Sequence, residues 1–470
     1  MSETKSIEME TLQSLLSQYG QQHLLTFWEQ LTDEQQKSLQ AQIECIDWEQ
    51  LGRLISHNDC DVDWQALAAR AQSPQAINAA EFNDRQRFDS AWQRGAEALR
   101  AGKVAFVLTA GGQGSRLGFD KPKGMYPIGP VSNRTLFQMM FDQAAARGRQ
   151  FDTVIPIFVM TSPQTDADTR EFLRENSWFG YPADQVTIFC QGTMPAVDEI
   201  TGRVLMASPS ELSTSPDGHG GMLQALERDR CLSQMKQAGI ELLFYGQIDN
   251  PLLQVCHPAL LGFHLQQESE ITTQVVRKSE PLQKVGNVVE VDGRMQIIEY
   301  SDLPDSAAEI REDDGSLKFW AGSIAVHVMN RSFLERAIHG GNQLPFHRAN
   351  KKVPFVDQGG ELKTPETNNA IKFERFIFDL LPLANKALVC EVEATEGFAA
   401  LKNAPPAPKE TAEWVRNSIS DLHRAWLEEA GWEVAEDVHV EICPSFAVDR
   451  QQLLERNPPK QTIDQNTFLK

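Results

Sequence analysis

The stretch from Val104 to Lys123, VAFVLTAGGQGSRLGFDKPK, decides how the rest of the chain is read. Five apolar residues, Val104 to Leu108, are too few for a helix and suit a strand buried on both faces. Thr109, Ala110, Gly111, Gly112, Gln113 and Gly114 then break the pattern. Residues without a Cβ let backbone N–H groups come close to an anion, and a strand end fixes where such a loop lies, so the stretch reads as a phosphate site. Arg116 and Lys123 add positive charge beside it. Two familiar phosphate loops do not fit. The dinucleotide fingerprint G-x-G-x-x-G fails because Gly112, Gly114 and Gly118 leave a longer final gap. The Walker loop fails because Lys123 is followed by Gly124 rather than Ser or Thr.

Outward from that loop, composition and period divide the chain. At 470 residues it exceeds what one core usually covers, and 41% hydrophobic with 23% charged residues is ordinary globular composition. From Leu12 to Ile55 apolar residues fall at helical spacing, as in Leu24, Phe27, Trp28 and Leu31, and Thr32-Asp33-Glu34-Gln35 reads as a capping box. Residues 1–100 are therefore expected to form a helical N-terminal region, with a linker running from Ser73-Pro74 to Asp84. Residues 101–400 are expected to form the main domain: strand 104–108, helix near 135–147, strand 154–160, helix 165–176, strand 186–190. Alternation of this kind implies an α/β fold with a mostly parallel sheet and a ligand site beyond the carboxyl ends of its strands. Asp249, after the apolar run Leu242-Leu243-Phe244-Tyr245, stands at another such end. Ile271 to Val276, Gly286 to Val291, Met295 to Tyr300 and Ile324 to Met329 read as strands broken at Asp292-Gly293 and Asp314-Gly315, expected as antiparallel additions flanking the sheet. Residues 401–470 read as a small C-terminal lobe: the stiff run Pro405-Pro406-Ala407-Pro408, a helix from Thr411 to Ala430 and a strand at Val438 to Ile442.

Charge and cysteine usage exclude several classes. A net charge of −21 repels nucleic acid and anionic membranes, so a phosphate ligand must be held by a local cluster. Seven scattered cysteines without a C-x-x-C fit neither a disulfide framework nor a zinc site; they read as reduced thiols of a cytoplasmic protein. An acidic N-terminus and the lack of any long apolar run predict a soluble chain with no membrane partner. His23 reads as a satisfied helical histidine rather than a ligand. The sequence specifies no assembly state.

Leu108, Gly111, Gly112, Gly114, Arg116, Gly118, Pro122 and Lys123, with Ser115 at the usual Thr, resemble the signature of the eukaryotic-type UDP-sugar pyrophosphorylases. The likeness runs from about residue 12 to 450 and is nearest to the UDP-N-acetylglucosamine (N-acetylhexosamine) branch, whose N-terminal region has a stretch like GQQHLLTFWEQL. It implies a glycosyltransferase-A-like, Rossmann-like core with a mixed, mostly parallel central sheet. It also implies transfer of a uridylyl group from UTP to a sugar 1-phosphate with Mg²⁺ or Mn²⁺. That reaction is limited by alignment and by repulsion among anions, for which amide-lined loops, Arg and Lys clamps and a carboxylate-held cation are the tools. By resemblance, Arg116 and Lys123 contact the triphosphate, Lys402 of Leu401-Lys402-Asn403-Ala404 reaches the sugar phosphate, and Asp249 of Gly246-Gln247-Ile248-Asp249-Asn250 holds the metal. Leu108, Ala110, Gly111, Gly112 and Gly114 bind the nucleotide. So do Gln191 and the loop Ser215-Pro216-Asp217-Gly218-His219-Gly220-Gly221, through Gly218 and His219, where backbone amides can read the edge of uracil. Gly286, Glu299, Ser323, Phe376 and Phe378 face the sugar.

Two positions depart from the N-acetylhexosamine pattern. His219 stands where that branch usually has Asn, whereas glucose-using relatives carry Gly-His-Gly, and Ser323 replaces the Asn of an A-G-N-I-A motif. Phe376 and Phe378 keep the aromatic pair of the acetylated branch. The expected substrate is therefore N-acetylglucosamine 1-phosphate, with glucose or galactose 1-phosphate as the alternative. A non-catalytic nucleotide-sugar sensor is the reading from another class. Joint retention of Arg116, Lys123, Asp249 and Lys402 speaks against it, because a sensor has no use for a leaving-group clamp.

Overall fold

The structure is a computed structural model that describes residues 2–56, 62–79, 85–340 and 344–470. Contacts group the chain into two compact units that do not follow chain order. One is drawn from Met1–Asp63, Gln191–Met222 and Leu344–Ile377, the other from Trp64–Cys190, Leu223–Gln343 and Phe378–Lys470.

The larger unit is built on a mixed, mostly parallel α/β sheet. Val104–Thr109 lies between Leu242–Gln247 and Ile157–Thr161, parallel to both, and Val104 through Leu108 are buried. A strand covered on both faces has no polar side to show, which is why the run is continuously apolar. The full order is Ala76–Ile77, Ala387–Glu391, Ile271–Arg277, Ala321–Asn330, Leu242–Gln247, Val104–Thr109, Ile157–Thr161, Val186–Cys190. Two sequence expectations are corrected here. Ala321–Asn330 is antiparallel to both neighbours yet lies inside the sheet rather than flanking it, between Leu242–Gln247 and Ile271–Arg277, and Ile271–Arg277 is likewise internal, parallel to Ala387–Glu391. Part of the expected linker is strand: Ala76–Ile77 pairs in parallel with Ala387–Glu391, a two-residue edge too short to show a period, while residues 80–84 lie outside the described set. Hairpin Asn287–Val291/Arg294–Ile298 hangs from Ala321–Asn330 through Asn287 opposite Gly322. Its turn has φ +52° at Asp292 and +78° at Gly293, the two left-handed residues that a type I′ connection requires.

Helix Arg85–Arg100 packs on helix Pro258–Gln266 at glycine contacts. A Cβ on Gly95 would lie 1.9 Å from the Pro258 carbonyl oxygen, and one on Gly262 1.6 Å from that of Ala91, so no other residue permits this approach. The C-terminal segment forms helix Ala412–Glu429, N-capped by Thr411, and strand Val440–Ile442, and its Val415, Ile419, Trp426 and Ile442 bury into the same core as Phe106 and Leu108. Glu441, 2% exposed, fastens it further by accepting from the Val131 and Ser132 N–H groups and the Ser132 hydroxyl at 2.9, 2.7 and 2.6 Å.

The smaller unit carries helices Ser2–Gln18, Asp33–Glu44 and Trp48–Ser56, and the Thr32/Gln35 capping box is present in both directions. Between them Gln22–Leu25 and Trp28–Gln30 are short 3₁₀ turns, not one helix as the spacing suggests, although Leu24 and Phe27 are buried as expected. His23 bonds the Val204 carbonyl at 2.8 Å, a structural role. A three-stranded sheet joins His347–Lys351, Ala370–Glu374 and Val197–Asp198. Among the described residues, no helix is long and apolar enough to cross a membrane, and the six described cysteines are free, Cys60 lying outside that set.

Candidate functional site

In the larger unit the glycine loop grows from the carboxyl end of Val104–Thr109 and closes on itself. The Lys123 N–H donates to the Gly112 carbonyl, and the Gly114 N–H to that of Lys121, each at 2.9 Å. A Cβ on Gly114 would sit 2.7 Å from the Phe119 carbonyl oxygen, and Gly118 has φ +69°, so the glycines are demanded by the backbone path. Leu108 and Ala110 are fully buried beneath the loop, and Gly111 rests against residue 162, whose Ser162 hydroxyl donates to the Gly111 carbonyl at 2.8 Å. Arg116 stands exposed in the turn Ser115–Leu117.

Lys123, Asp249 and the Lys402 segment are brought together. Lys123 Nζ lies 3.6 Å from Asp249 Oδ2 and donates to the Leu401 carbonyl at 3.2 Å, while the Leu401 N–H donates to the Asp249 carbonyl at 2.8 Å. Both charged side chains are under one-fifth exposed, 17% for Lys123 and 15% for Asp249, enough for a ligand to reach them and too little for water to screen them fully. Asn250, a residue that sequence reasoning did not single out, explains the fit: its Nδ2 donates to the Gly397 carbonyl at 2.8 Å and its Oδ1 accepts from the Ala399 N–H at 3.0 Å. It thereby ties the Lys402 segment to the end of Leu242–Gln247. The signal was the polar residue after Asp249, 3% exposed and so bound to find partners. Lys402 Nζ lies 3.9 Å from Glu410 Oε1 and 5.6 Å from the Phe398 ring, and its N–H donates to the Glu410 carbonyl at 2.9 Å.

Gly286, Glu299 and Ser323 converge in the same unit. The Ser323 N–H donates to the Gly286 carbonyl at 2.8 Å, and a Cβ on Gly286 would lie 2.8 Å from Glu299 Oε1. Ser323 opens an irregularity in its strand, where Ile324 and Ala325 have no counterpart opposite Gln274 and Val275, and its Oγ accepts from the Ala325 N–H at 3.4 Å. Bulges of this kind re-aim side chains near sites. Burial pulls the neighbouring Lys278 ammonium down to about 8. Phe378, 7% exposed, belongs to this unit in the 3₁₀ helix Ile377–Leu383.

The smaller unit holds Gln191, Gly218, His219 and Phe376 in a bundle of three loop segments. The Arg375 N–H donates to the Asp217 carbonyl at 2.7 Å and the Gly220 N–H to the Arg375 carbonyl at 2.8 Å. A Cβ on Gly218, with φ +84°, would lie 2.3 Å from that same carbonyl oxygen. His219 Nδ1 accepts from the Ile377 N–H at 3.1 Å, which leaves the ring proton on Nε2. Its ring lies 5.3 Å from Phe376, which also meets His347 at 4.5 Å. Gln191 is buried, and Asp217, beside it in space through Gly192, is 6% exposed.

The chain matches the family model described as UTP–glucose-1-phosphate uridylyltransferase over residues 52–406. It is 33% identical to UDP-N-acetylglucosamine pyrophosphorylase of Saccharomyces cerevisiae, covering 95% of this chain and 96% of that one. It is 34% identical to UDP-N-acetylhexosamine pyrophosphorylase-like protein 1 of Homo sapiens, covering 88% and 85%. The crystal structure of the uridine diphosphate N-acetylglucosamine pyrophosphorylase from Trypanosoma brucei in complex with inhibitor aligns over 98% of each chain, with a TM-score of 0.82 and 26% identity.

Proposed function

This chain belongs to the UTP–glucose-1-phosphate uridylyltransferase family, and from that premise we propose that it makes UDP-N-acetylglucosamine and pyrophosphate from UTP and N-acetylglucosamine 1-phosphate. A phosphate oxygen of the sugar attacks the α-phosphorus of UTP, an O–P bond forms, the bond from the α-phosphorus to the α,β-bridging oxygen breaks, and pyrophosphate leaves. Convergence of Lys123, Asp249 and the backbone of Leu401, the residue before Lys402, on one point is the observation that carries this reading. Lys123 neutralises charge that grows on the departing pyrophosphate, with Arg116 at the loop rim. Lys402 exchanges its loose contact with Glu410 for the sugar phosphate. Amides of the loop Ala110–Gly114 hold the triphosphate in line. By the resemblance, Gln191 and the backbone around Gly218 and His219 are the candidates for uracil, Phe376 offers an aromatic face, and Gly286, Glu299, Ser323 and Phe378 are the candidates for the sugar.

A divalent cation fits this donor set in one way. Among the described residues no group of three or more His, Cys, Asp or Glu could hold a metal, so Mg²⁺ or Mn²⁺ would be held by the single Asp249 carboxylate together with substrate oxygens. When bound it would supply further neutralisation of the phosphates. The free thiols suit a cytoplasmic setting.

His219, the feature that favours a glucose or galactose substrate, is accounted for locally by its bond to Ile377 and its contact with Phe376, so it need not report on the sugar. The deciding experiment is pyrophosphate release from UTP across N-acetylglucosamine, glucose and galactose 1-phosphates. Preference for the acetylated sugar is expected, and preference for an unacylated one would overturn the substrate assignment.

A further inference from the structure

Lys278 follows the strand Ile271–Arg277 and turns into the protein, 5% exposed, with its N–H donating to the Trp320 carbonyl at 2.9 Å. Its Nζ donates to Asn287 Oδ1 at 2.6 Å and to the Pro281 carbonyl at 3.0 Å. Asn287 is itself 1% exposed and donates through Nδ2 to the Ile298 carbonyl at 3.2 Å. It pairs with Ile298 across the hairpin and with Gly322 in the adjoining strand. The residues next to Asn287, Ile298 and Gly322 are Gly286, Glu299 and Ser323, and the Gly286 carbonyl already accepts the Ser323 N–H.

Among the described residues Lys278 makes no ion pair, and a buried ammonium held only by neutral oxygens is costly. An apolar side chain would fill the same space at lower cost, so packing alone does not account for a lysine here. Its bond to the Asn287 side chain holds the residue that follows Gly286, and Asn287 in turn bonds the Ile298 carbonyl, one residue before Glu299, and pairs with Gly322, one residue before Ser323. We propose that Lys278 is a positioning residue for the sugar subsite, acting through Asn287 to fix Gly286, Glu299 and Ser323 relative to one another. The proposal rests on the uridylyltransferase reading above.

Steady-state kinetics with each substrate varied in turn test it. Lys278→Met keeps the length and removes the donors. It is expected to raise KM for N-acetylglucosamine 1-phosphate about tenfold, with KM for UTP within about twofold of the wild type. Asn287→Leu removes the same link from its other end and should give the same selective rise, and it carries the test should Lys278→Met not fold. The double variant should be no worse than the poorer single one, because both remove one interaction. Equal changes in the two KM values, no change in either, or a double variant showing the product of the single effects would overturn the clamp. Wild-type protein that releases no pyrophosphate from UTP with any sugar 1-phosphate overturns the underlying reading instead, so the two failures are distinct.

Discussion

The loop that follows Val104–Thr109 in the larger unit and the loop bundle of the smaller one are both rich in glycine, yet they are built in opposite ways. The first is local. One strand end, Val104–Thr109, emits a loop that closes through its own backbone between residues 112 and 123, and Asp249, just past Leu242–Gln247, and the backbone at Leu401 meet its Lys123. The second is assembled from stretches more than 150 positions apart: the backbone at 217–220 bonds the backbone at 375, and His219 holds Ile377. A local loop can be recognised from spacing, because Gly114 answers to Phe119 and Lys121, its neighbours in sequence. In the bundle Gly218 and Gly220 answer to the distant backbone at 375–376, and their reason is invisible until the chain is folded.

If the local loop is the chemical end, its charges should matter far more to turnover than to stability. Lys123→Ala is expected to lower kcat by roughly a hundredfold, since a preorganised cation at developing charge is worth on the order of 3 kcal/mol. Its partly buried pair with Asp249 should cost the fold only about 1 kcal/mol. A folded Lys123→Ala protein that turns over near normally would remove the clamp and with it the contrast between the two regions. Asp249→Asn tests the same end more gently. A neutral amide is a poorer ligand for a hard cation, so the Mg²⁺ concentration giving half-maximal rate should rise several-fold, roughly threefold or more. An unchanged titration would reduce Asp249 to a partner of Lys123 and Leu401.

The bundle should respond the other way, in stability before chemistry. A Cβ on Gly220 would lie 2.6 Å from Phe376 N and from the carbonyl carbon of Arg375, so Gly220→Ala must push the 375–377 backbone aside. Overpacking of this kind costs about 1–3 kcal/mol, read as a lower melting temperature, with KM for UTP rising in step. A variant that melts like the wild type would mean that the segment yields freely and that the bundle is not the rigid frame its hydrogen bonds suggest.

The same contrast explains what was legible in the sequence. Val104 to Leu108, the loop after it, Asp249 and the helix 412–429 were readable because each rests on a local period or a local turn. The central position of Ala321–Asn330 is not legible, because apolar runs report burial but not which neighbour covers them; pairing with Leu242–Gln247 is a tertiary choice. Strand Ala76–Ile77 was read as linker because two residues have no period. Asn250, Lys278 and Asn287 look in the sequence like ordinary polar residues, and only their burial, at 3%, 5% and 1% exposure, marks them as structural ties. Resemblance supplied Gly286, Glu299 and Ser323. It did not supply what holds them in place.

The smallest expected effect is at Ser323, where the two branches of the family differ. Its N–H is committed to the Gly286 carbonyl, and its hydroxyl is engaged at 3.4 Å by the Ala325 N–H, a long bond that closes the bulge while Ala325 itself sits at φ +54°. A hydroxyl so weakly held can turn toward a ligand, but it is short. Asn at this position carries both a donor and an acceptor one atom farther out, and its carbonyl oxygen can still cap Ala325 as an Asx turn does. Ser323→Asn should therefore leave the bulge intact and shift competition between N-acetylglucosamine and glucose 1-phosphates toward the acetylated sugar. One neutral hydrogen bond is worth roughly 0.5–1.5 kcal/mol, so the ratio of kcat/KM values should change about two- to tenfold. A ratio that does not move, in a variant with normal melting temperature and normal KM for UTP, would confine Ser323 to closing its bulge. Discrimination among sugars would then fall to the aromatic candidates Phe376 and Phe378.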